Sequence, residues 1–255
     1  MAEELARRFW PGPLTLVVPK AASIVPEATA GRDTVGLRSP DHPLALRLLR
    51  EFDGPIAAPS ANRSNRVSPT TAEHVRRELG DAVDLILDGG PCRVGIESAV
   101  LDLTGELPVI LRPGSITREQ IEQVIGPVGI FAGSISSHDA ANSPGQQAIH
   151  YSPVAPTYRF SSSQGGQVVS WCTERPEERV VILAIEGSTA IMQPFFPNAR
   201  LILMSNDPDG YARQLYAALH EADGAGVGAI WIELPADLPV WAAVRDRIVR
   251  ATRGL

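Results

Sequence analysis

The sequence predicts an α/β protein with two domains. From Leu14 to Gly126, short β-rich runs alternate with helical patterns, which is typical of a sheet layered with helices. Beyond residue 156, continuous apolar runs appear, which is typical of strands buried on both faces of a parallel sheet. Between these parts, residues 127–156 are rich in Gly, Ser, Ala, Asn and Pro and have no periodicity. We therefore expect a first domain over residues 1–126, a linker over residues 127–156 and a second domain over residues 157–255.

The first domain is predicted to alternate strands with helices along its whole length. Its strands are expected at Leu14–Val18, Thr34–Arg38, Pro55–Ala58, Asp84–Asp88, Ser98–Leu103 and Val109–Arg112. Apolar residues at helical spacing predict helices over His42–Phe52 and Thr71–Leu79. Thr117 is the predicted N-cap of a third helix, because Gln120 stands at its N3 position and apolar residues follow.

The second domain is predicted to be a small Rossmann-like parallel sheet. Its strands are expected at residues 180–185, 201–204 and 229–234, and its amphipathic helices at residues 211–222 and 240–252. The dinucleotide fingerprint G-x-G-x-x-G is absent, and Gly224-Ala225-Gly226 precedes a strand instead of joining a strand to a helix. The sequence therefore predicts the architecture without a dinucleotide site.

Composition and charge exclude several classes of function. The chain has 255 residues, of which 44% are hydrophobic, and its 23 basic and 29 acidic residues give a net charge of −6. A polyanionic partner would therefore have to bind a local patch, and a histone-like nucleic-acid binder is disfavoured. Lys20 is the single lysine. Cys92 and Cys172 lie far apart, so neither a disulfide framework nor a cysteine metal site is expected.

Other patterns argue against hydrolases, metalloenzymes and membrane proteins. The chain has no G-x-S-x-G motif, and its five histidines show no metal-ligand spacing. No stretch approaches the ~18 apolar residues of a membrane span. Met1 leads into the charged, amphipathic run from Ala2 to Phe9, which is unlike a signal peptide. We expect a cytoplasmic protein without a membrane partner.

Small and polar residues cluster where the third predicted strand ends and the next helix begins. Residues 57–62 read Ala-Ala-Pro-Ser-Ala-Asn, and Ser68-Pro69-Thr70-Thr71 follow at the helix start. Ser60, Asn62 and Ser68 offer hydroxyl and amide groups, and a helix N-terminus offers free N–H groups to a phosphate. The alternative is plain capping, with Ser68 or Thr70 as N-cap and Asn62 as a turn residue.

Three further residues stand at strand ends, where α/β sheets commonly bind ligands. Ser98 begins a predicted strand after a glycine-containing turn, and an ordinary strand with a polar first residue is its alternative. Arg112 ends a strand before Pro113 and Gly114, and Arg38 also ends a strand. Each arginine can clamp a phosphate or a carboxylate, or form an ordinary surface ion pair.

The linker carries aromatic and polar residues that its composition does not require. His150-Tyr151-Ser152-Pro153 follows Ser143-Pro144-Gly145. Linkers with specific aromatic residues often fold onto a site. The alternative is that Tyr151 only fastens the linker to a domain surface.

Taken together, these motifs closely resemble the threonylcarbamoyl-AMP synthase family of the YrdC type. The resemblance covers nearly the whole chain, including a pattern of Leu215-Tyr216, Asp223 and Asp246-Arg247 that is similar to the extra carboxyl-terminal domain of the family's longer members. The motifs that carry it are Phe9-Trp10-Pro11-Gly12-Pro13-Leu14-Thr15, Thr34-Val35-Gly36-Leu37-Arg38, Ala58-Pro59-Ser60-Ala61-Asn62, Ser68-Pro69-Thr70-Thr71, Asp88-Gly89-Gly90, Glu97-Ser98, Leu111-Arg112-Pro113-Gly114 and His150-Tyr151-Ser152-Pro153.

The resemblance implies a nucleotidyltransferase that combines L-threonine, bicarbonate and ATP into threonylcarbamoyl-AMP and pyrophosphate, with Mg²⁺ accompanying ATP. A partner transferase would then use the product to modify an adenosine of tRNA. Arg112 and Ser60 would serve catalysis, and Tyr151 would lie over the nucleotide. The implied ATP contacts are Thr34, Ser60, Ser68, Arg112 and Tyr151. The implied threonine contacts are Arg38, Ala58 and Ser98.

The chain also departs from the family pattern. Ala99 replaces a usual Thr, Asn65 a usual Gly, and Gln146 and Ala148 replace a usual Met and Tyr. The Pro-Thr-Glu-Thr strand and the Lys-x-Arg motif, which precede the Phe-Trp-Pro-Gly-Pro segment in the family, do not occur before Phe9. The resulting expectation is an amino-terminally truncated YrdC-like sheet, and this polypeptide is expected to form little or no threonylcarbamoyl-AMP. The alternative function is a folded but inactive nucleotide- or RNA-binding fragment.

Overall fold

The computed structural model describes residues 1–131, 151–188, 198–224 and 226–255, which form two units. Unit 1 comprises Met1–Pro59 and Glu97–Ala148, and unit 2 comprises Ser60–Ile96 and Ile149–Leu255. Residues 60–96 thus pack with the carboxyl-terminal region, although they lie between two segments of unit 1 in the sequence. Most of the predicted linker, including Ser143–Gly145, Gln146, Ala148 and His150, lies outside the described residues.

Unit 1 contains a mixed five-stranded sheet and three α-helices within its described part. The helices are α1 (Ala2–Phe9), α2 (Pro43–Phe52) and α4 (Arg118–Ile125), and the strands are β1 (Leu14–Pro19), β2 (Thr34–Leu37), β3 (Ala99–Asp102), β4 (Val109–Arg112) and β5 (Gly129–Ile130). The strand order is β2-β1-β3-β4-β5. β1 is antiparallel to β2 and parallel to β3, whereas β4 is antiparallel to β3 and parallel to β5.

The core of unit 1 forms where α1 and α4 cover one face of this sheet. Leu14 and Leu16 alternate along β1 and are at most 2% exposed, because residues two apart in a strand share a face. Leu5 of α1 and Ile121 of α4 pack in the same apolar cluster. Burying a side chain of this size stabilises a fold by about 1.5–3 kcal/mol, so this alternation fixes the register of β1.

Unit 2 contains a parallel five-stranded sheet with helices, as the sequence predicts for the second domain. The described helices are α3 (Ala72–Leu79), α5 (Gly165–Glu174), α6 (Pro208–Ala222) and α7 (Ala242–Ala251), and the strands are β6 (Thr157–Phe160), β7 (Val180–Ile185), β8 (Ala199–Met204), β9 (Ala229–Glu233) and β10 (Arg253–Gly254). The order is β10-β6-β9-β7-β8, with every described pair parallel. Two apolar clusters contain alternate residues of β7 and β9, because both strands are buried on both faces.

The structure differs from the predicted elements at several places. Residues 55–58 and 84–88 are not strands. In the second segment Leu85 and Leu87 are 75% and 50% exposed, so its apolar residues are not covered by a sheet. β6, α5 and β10 were not predicted, since Thr157–Phe160 is half polar and α5 opens with two glycines. β5 lies within the predicted linker. No described helix is long and apolar enough to cross a membrane.

Candidate active site

In unit 1, the strand register brings four polar side chains to one end of the sheet. Leu16 pairs with Leu37, so the start of β1 lies beside the end of β2, which Arg38 follows. Leu14 pairs with Ala99, which sets Ser98 beside the start of β1. Val100 pairs with Arg112 at the end of the antiparallel β4. Thr15, Arg38, Ser98 and Arg112 therefore converge, as expected for a ligand site at strand ends.

Ser98 lies at the centre of this group. It is 2% exposed, and its Oγ lies 2.8 Å from the hydroxyl Oγ1 of Thr15. Arg112 donates from Nε to the Ser98 carbonyl at 3.1 Å and from Nη2 to the Ser98 hydroxyl at 3.4 Å. Ser98 is thus more than the polar first residue of an ordinary strand, because its hydroxyl joins two side chains from other strands.

Arg112 is buried, with 6% of its surface exposed, so the surface ion pair that remained open for it is wrong. The turn that follows β4 lies in close contact with the start of β3. A Cβ at Gly114 would lie 2.7 Å from the Cα of Ala99, which is closer than real Cβ contacts. Only glycine fits there, and this close approach sets the distance between Arg112 and Ser98.

Arg38 supplies a second guanidinium at the same sheet end. It is exposed as a whole residue. Even so, partial burial of its guanidinium lowers the pKa of Arg38, nearby Arg112 lowers it further, and Glu97 raises it. The group stays cationic at neutral pH, because an arginine pKa starts above 12. Two cations close enough to influence each other are suited to an anionic ligand.

The amino-terminal turn of unit 1 reaches the same end of the sheet. The backbone N–H of Gly12 donates to the carbonyl of Ser39 at 2.9 Å, and the Trp10 indole donates to the Leu14 carbonyl at 2.7 Å. The Trp10–Pro11 peptide bond is cis. These contacts hold the start of β1, and with it Thr15, beside the residue that follows Arg38.

Two predicted ligand residues of unit 1 lie apart from this group. Thr34 pairs with Pro19 at the far end of β2 from Arg38. Arg38 is four extended residue steps from Thr34, a distance of about 13 Å, so Thr34 does not share the cluster. Ala58 is exposed in an irregular segment.

In unit 2, the motifs Ser68–Thr71 and Asp88–Gly90 meet around a small open depression of about 150 Å³. The backbone N–H of Cys92 donates to the Thr70 carbonyl at 2.9 Å, which joins the two segments. The N-cap of α3 is Thr71, whose hydroxyl accepts from the His74 N–H at 3.2 Å. The capping alternative thus named the wrong residues, Ser68 and Thr70. Ser60, also in unit 2, is exposed.

Asn62 and Asn65 shape the loop that leads to Ser68. The Asn62 amide donates to the carbonyls of Arg63 and Arg66, as expected of a turn residue, while its Oδ1 is buried without a hydrogen-bond partner. Asn65 has φ +63°, a left-handed conformation that glycine and asparagine adopt most readily. This conformation explains why Asn65 can replace the glycine that is usual in the family.

Tyr151 belongs to unit 2, and the residue after it is hydrogen-bonded to the loop that contains Asn62 and Asn65. The N–H of the next residue, Ser152, donates to the Asn65 carbonyl at 2.9 Å. The Tyr151 ring is 1% exposed, lies 5.5 Å from the Tyr216 ring and has the Arg247 guanidinium 5.8 Å from its centroid. Tyr151 therefore anchors this segment in the core of unit 2, and its contact with a nucleotide remains a prediction.

Two residues at the end of α6 hold Ser68 and the segment that follows Tyr151. Asp223 accepts from the N–H groups of Val154 and Ala155 at 2.8 and 2.9 Å. His220 lies 3.1 Å from the Ser68 carbonyl. Sequence reasoning named Asp223 only within a motif and did not single out His220, because a lone histidine on a helix carries no local signal.

The described residues contain no group of three or more His, Cys, Asp or Glu that could hold a metal ion.

The sequence and the fold of this chain are both similar to those of known proteins. Residues 1–114 match the Sua5/YciO/YrdC family model described as "Telomere recombination", and residues 116–252 match the model described as "Threonylcarbamoyl-AMP synthase, C-terminal domain". The threonylcarbamoyl-AMP synthase of Bacillus subtilis is 40% identical over 99% of this chain and 73% of its own length. That of Pyrococcus abyssi is 37% identical over 98% and 73%. The crystal structure of P. abyssi Sua5 complexed with L-threonine superposes with a TM-score of 0.86 at 35% identity, covering 100% of this chain and 75% of the other.

Proposed function

This chain belongs to the threonylcarbamoyl-AMP synthase family, and we propose that it joins L-threonine, bicarbonate and ATP into threonylcarbamoyl-AMP and pyrophosphate. The observation that carries the proposal is the group of Thr15, Ser98, Arg38 and Arg112 at one end of the unit 1 sheet. Two cations and two hydroxyl groups are the chemistry that an amino acid and a phosphate require. The relation to a solved structure with bound L-threonine supports threonine as the amino acid.

Arg38 is the proposed partner of the threonine carboxylate. A guanidinium holds a carboxylate through two parallel hydrogen bonds and leaves the amine of the amino acid free to react. The exposed position of Arg38 gives a ligand access, and the neighbouring Arg112 adds positive charge. Ser98 and Thr15 offer hydroxyl groups to the threonine side chain.

The reaction that follows needs positioned charge and no side-chain nucleophile. The threonine amine takes up bicarbonate as a carbamate, with loss of water. A carbamate oxygen then attacks the α-phosphorus of ATP, the new P–O bond forms, and the bond to the bridging oxygen breaks as pyrophosphate leaves. Arg112 is proposed to neutralise charge that develops at the phosphate, and Mg²⁺ would enter with ATP as part of the substrate.

The residues proposed for ATP in unit 2 are Ser60, Ser68 and Tyr151. Supporting this assignment, Pro69 and Thr70, which follow Ser68 in the sequence, line the depression at the start of α3, where the helix N-terminus favours negative charge. The product is a mixed anhydride, which is an activated acyl donor. We expect it to be consumed by a transferase that acts on tRNA. The inactive binding fragment that remained open from the sequence has no support in the comparisons. The proposal of an active enzyme therefore replaces the low product formation expected from the sequence, and a measurement of product formation decides between them.

Substitution of Arg38 tests the threonine site. Arg38→Gln should weaken L-threonine binding about 10- to 100-fold, because a charged bidentate contact of ~1.5–3 kcal/mol is lost. Arg38→Lys should bind L-threonine with an affinity between those of the wild type and Arg38→Gln, since an ammonium keeps the charge but cannot form the two parallel hydrogen bonds of a guanidinium. Isothermal titration calorimetry of the whole 255-residue chain with L-threonine measures the effect.

The matched control is Arg7→Gln on α1, where the arginine side chain is 74% exposed and forms an ion pair with Glu3 of the same helix. It should leave threonine affinity unchanged. If Arg38→Gln binds threonine as tightly as the control does, Arg38 is not the carboxylate partner.

A further inference from the structure

A buried histidine of the carboxyl-terminal region contacts the segment proposed to bind the nucleotide. His220 lies on α6 and is 7% exposed. Its Nδ1 lies 2.7 Å from Nη2 of Arg77, and its Nε2 lies 3.1 Å from the backbone carbonyl of Ser68. Both contacts lie within unit 2.

These two partners define the tautomer of His220. A guanidinium only donates hydrogen bonds, so Nδ1 must accept from Arg77. A carbonyl only accepts, so Nε2 must carry the proton and donate to Ser68. Both bonds exist together only in the neutral ring with its proton on Nε2. A second proton on Nδ1 would face the guanidinium and break that contact.

A second histidine extends the contact along the same segment. The His74 ring of α3 contacts the His220 ring in a tilted arrangement, with centroids 3.9 Å apart and an interplanar angle of 31°. The Nδ1 of His74 lies 3.3 Å from both the backbone N and the Oγ1 of Thr70. The histidine pair therefore contacts Ser68 and Thr70, on either side of Pro69.

The surrounding charges favour the neutral form of both rings. Burial lowers the pKa of His74 to about 4, with His220 and Arg77 acting in the same direction and Glu73 opposing them. Burial also lowers the pKa of His220, as do Arg77 and Arg66, whereas the Ser68 carbonyl and Asp223 raise it. At neutral pH both histidines are uncharged, as the hydrogen bonds require.

We propose that His220 is a positioning residue for the nucleotide site, which fixes the Ser68–Thr70 segment through its Nε2–H bond and thereby makes ATP binding depend on helix α6. The proposal rests on the proposed function, because Ser68 is assigned to ATP there. His220 acts through the backbone of Ser68 and needs no contact with the substrate.

Two substitutions of His220 separate the effect of its hydrogen bonds from the effect of its side-chain size. His220→Leu keeps an apolar side chain of similar size but removes both hydrogen bonds, and ATP should bind about tenfold more weakly. His220→Gln keeps an amide N–H near the position of Nε2, and most of the ATP affinity should return. Affinity for L-threonine, measured on the same samples by calorimetry, should change less than about twofold in both variants. Unchanged ATP affinity in His220→Leu, or an equal loss of threonine affinity, would overturn the proposal.

Hydrogen exchange gives a readout that does not depend on ATP. His220→Leu should speed amide exchange about tenfold in residues 65–71 while leaving β3 of unit 1 unchanged, because only the former segment loses its anchor. If the wild-type protein binds no ATP, the proposed function fails, and exchange in residues 65–71 still decides the positioning role. Unchanged exchange there would refute it.

Arg77→Leu is the variant to use if His220→Leu does not fold, since Arg77 is exposed. Arg77 donates to Nδ1 and so holds the ring in the tautomer that carries its proton on Nε2. Without this donor the Nε2–H bond to Ser68 is no longer fixed, and ATP should bind about threefold more weakly than in the wild type, while L-threonine affinity stays within about twofold. ATP affinity equal to that of the wild type in a folded Arg77→Leu protein would overturn the proposal.

Discussion

At the scale of single residues, the site of unit 1 depends on close backbone approach as much as on charge. Arg112 and Ser98 are both buried, and they meet because the turn at Gly114 lies directly against the start of β3. A buried arginine without its partner groups would be strongly destabilising. The position of Arg112 beside Ser98 therefore depends on the glycine two residues later, Gly114.

Gly114→Ala tests this dependence. The added methyl would overlap the backbone at Ala99, so we expect unfolding to become easier by about 1–3 kcal/mol and threonine to bind more weakly. Urea denaturation and threonine titration measure the two effects. Gly105→Ala is the control, because a Cβ there meets only the Leu107 carbonyl oxygen at 3.6 Å. Equal stability of the two variants would contradict the close-approach argument.

A second residue-scale test concerns the loop conformation at Asn65. The left-handed φ of +63° suits Asn or Gly, so Asn65→Gly should retain the stability and ATP affinity of the wild type. Asn65→Ala should lower the unfolding free energy by about 1 kcal/mol, because Ala tolerates this region less well. Thermal denaturation distinguishes them, and an alanine variant as stable as the glycine variant would refute the account.

At the scale of elements, helices α3 and α6 meet through the tilted rings of His74 and His220, whose centroids are 3.9 Å apart. Both rings have a folded-state pKa below the ordinary value of about 6.5, so the unfolded chain binds more protons than the folded one in mildly acidic solution. The stability from this contact is complete above about pH 6.5 and is lost as the pH falls toward 4. Neutral histidines thus join two helices that are far apart in sequence.

The expected outcome is a fall in the melting temperature of the wild-type protein between about pH 6.5 and pH 4. His220→Gln should show a shallower fall, because one titrating ring is gone and His74 loses a neighbour that lowers its pKa. Differential scanning calorimetry across this pH range makes the comparison. Identical slopes would show that the histidine pair does not link folding to protonation.

At the scale of the whole molecule, hydrophobic periodicity predicted most of the helices and strands. The elements that it missed or predicted wrongly depend on contacts between residues far apart in sequence. The alternation in β1 and the capping box at Thr117 and Gln120 are confirmed because local residues determine them. The strands predicted at residues 55–58 and 84–88 are wrong, because an apolar run forms a strand only where a neighbouring strand pairs with it.

The candidate site was predictable to a similar extent. Arg38, Ser98 and Arg112 stand at strand ends that the pattern identified, and the structure brings them together. Thr34 lies elsewhere on its strand, and the place of Tyr151 in the core of unit 2 depends on partners about 65 and 96 residues away in sequence, such as Tyr216 and Arg247. No local pattern contains that information.

The most direct test of the account is product formation by this 255-residue protein from ATP, L-threonine and ¹³C-bicarbonate. Mass spectrometry should detect threonylcarbamoyl-AMP that carries the label, with one pyrophosphate released per product and none when threonine or bicarbonate is omitted. Arg38 is proposed to hold the threonine carboxylate, so adenylation must occur on the carbamate. Unlabelled threonyl-AMP, or pyrophosphate release independent of bicarbonate, would contradict the proposed function.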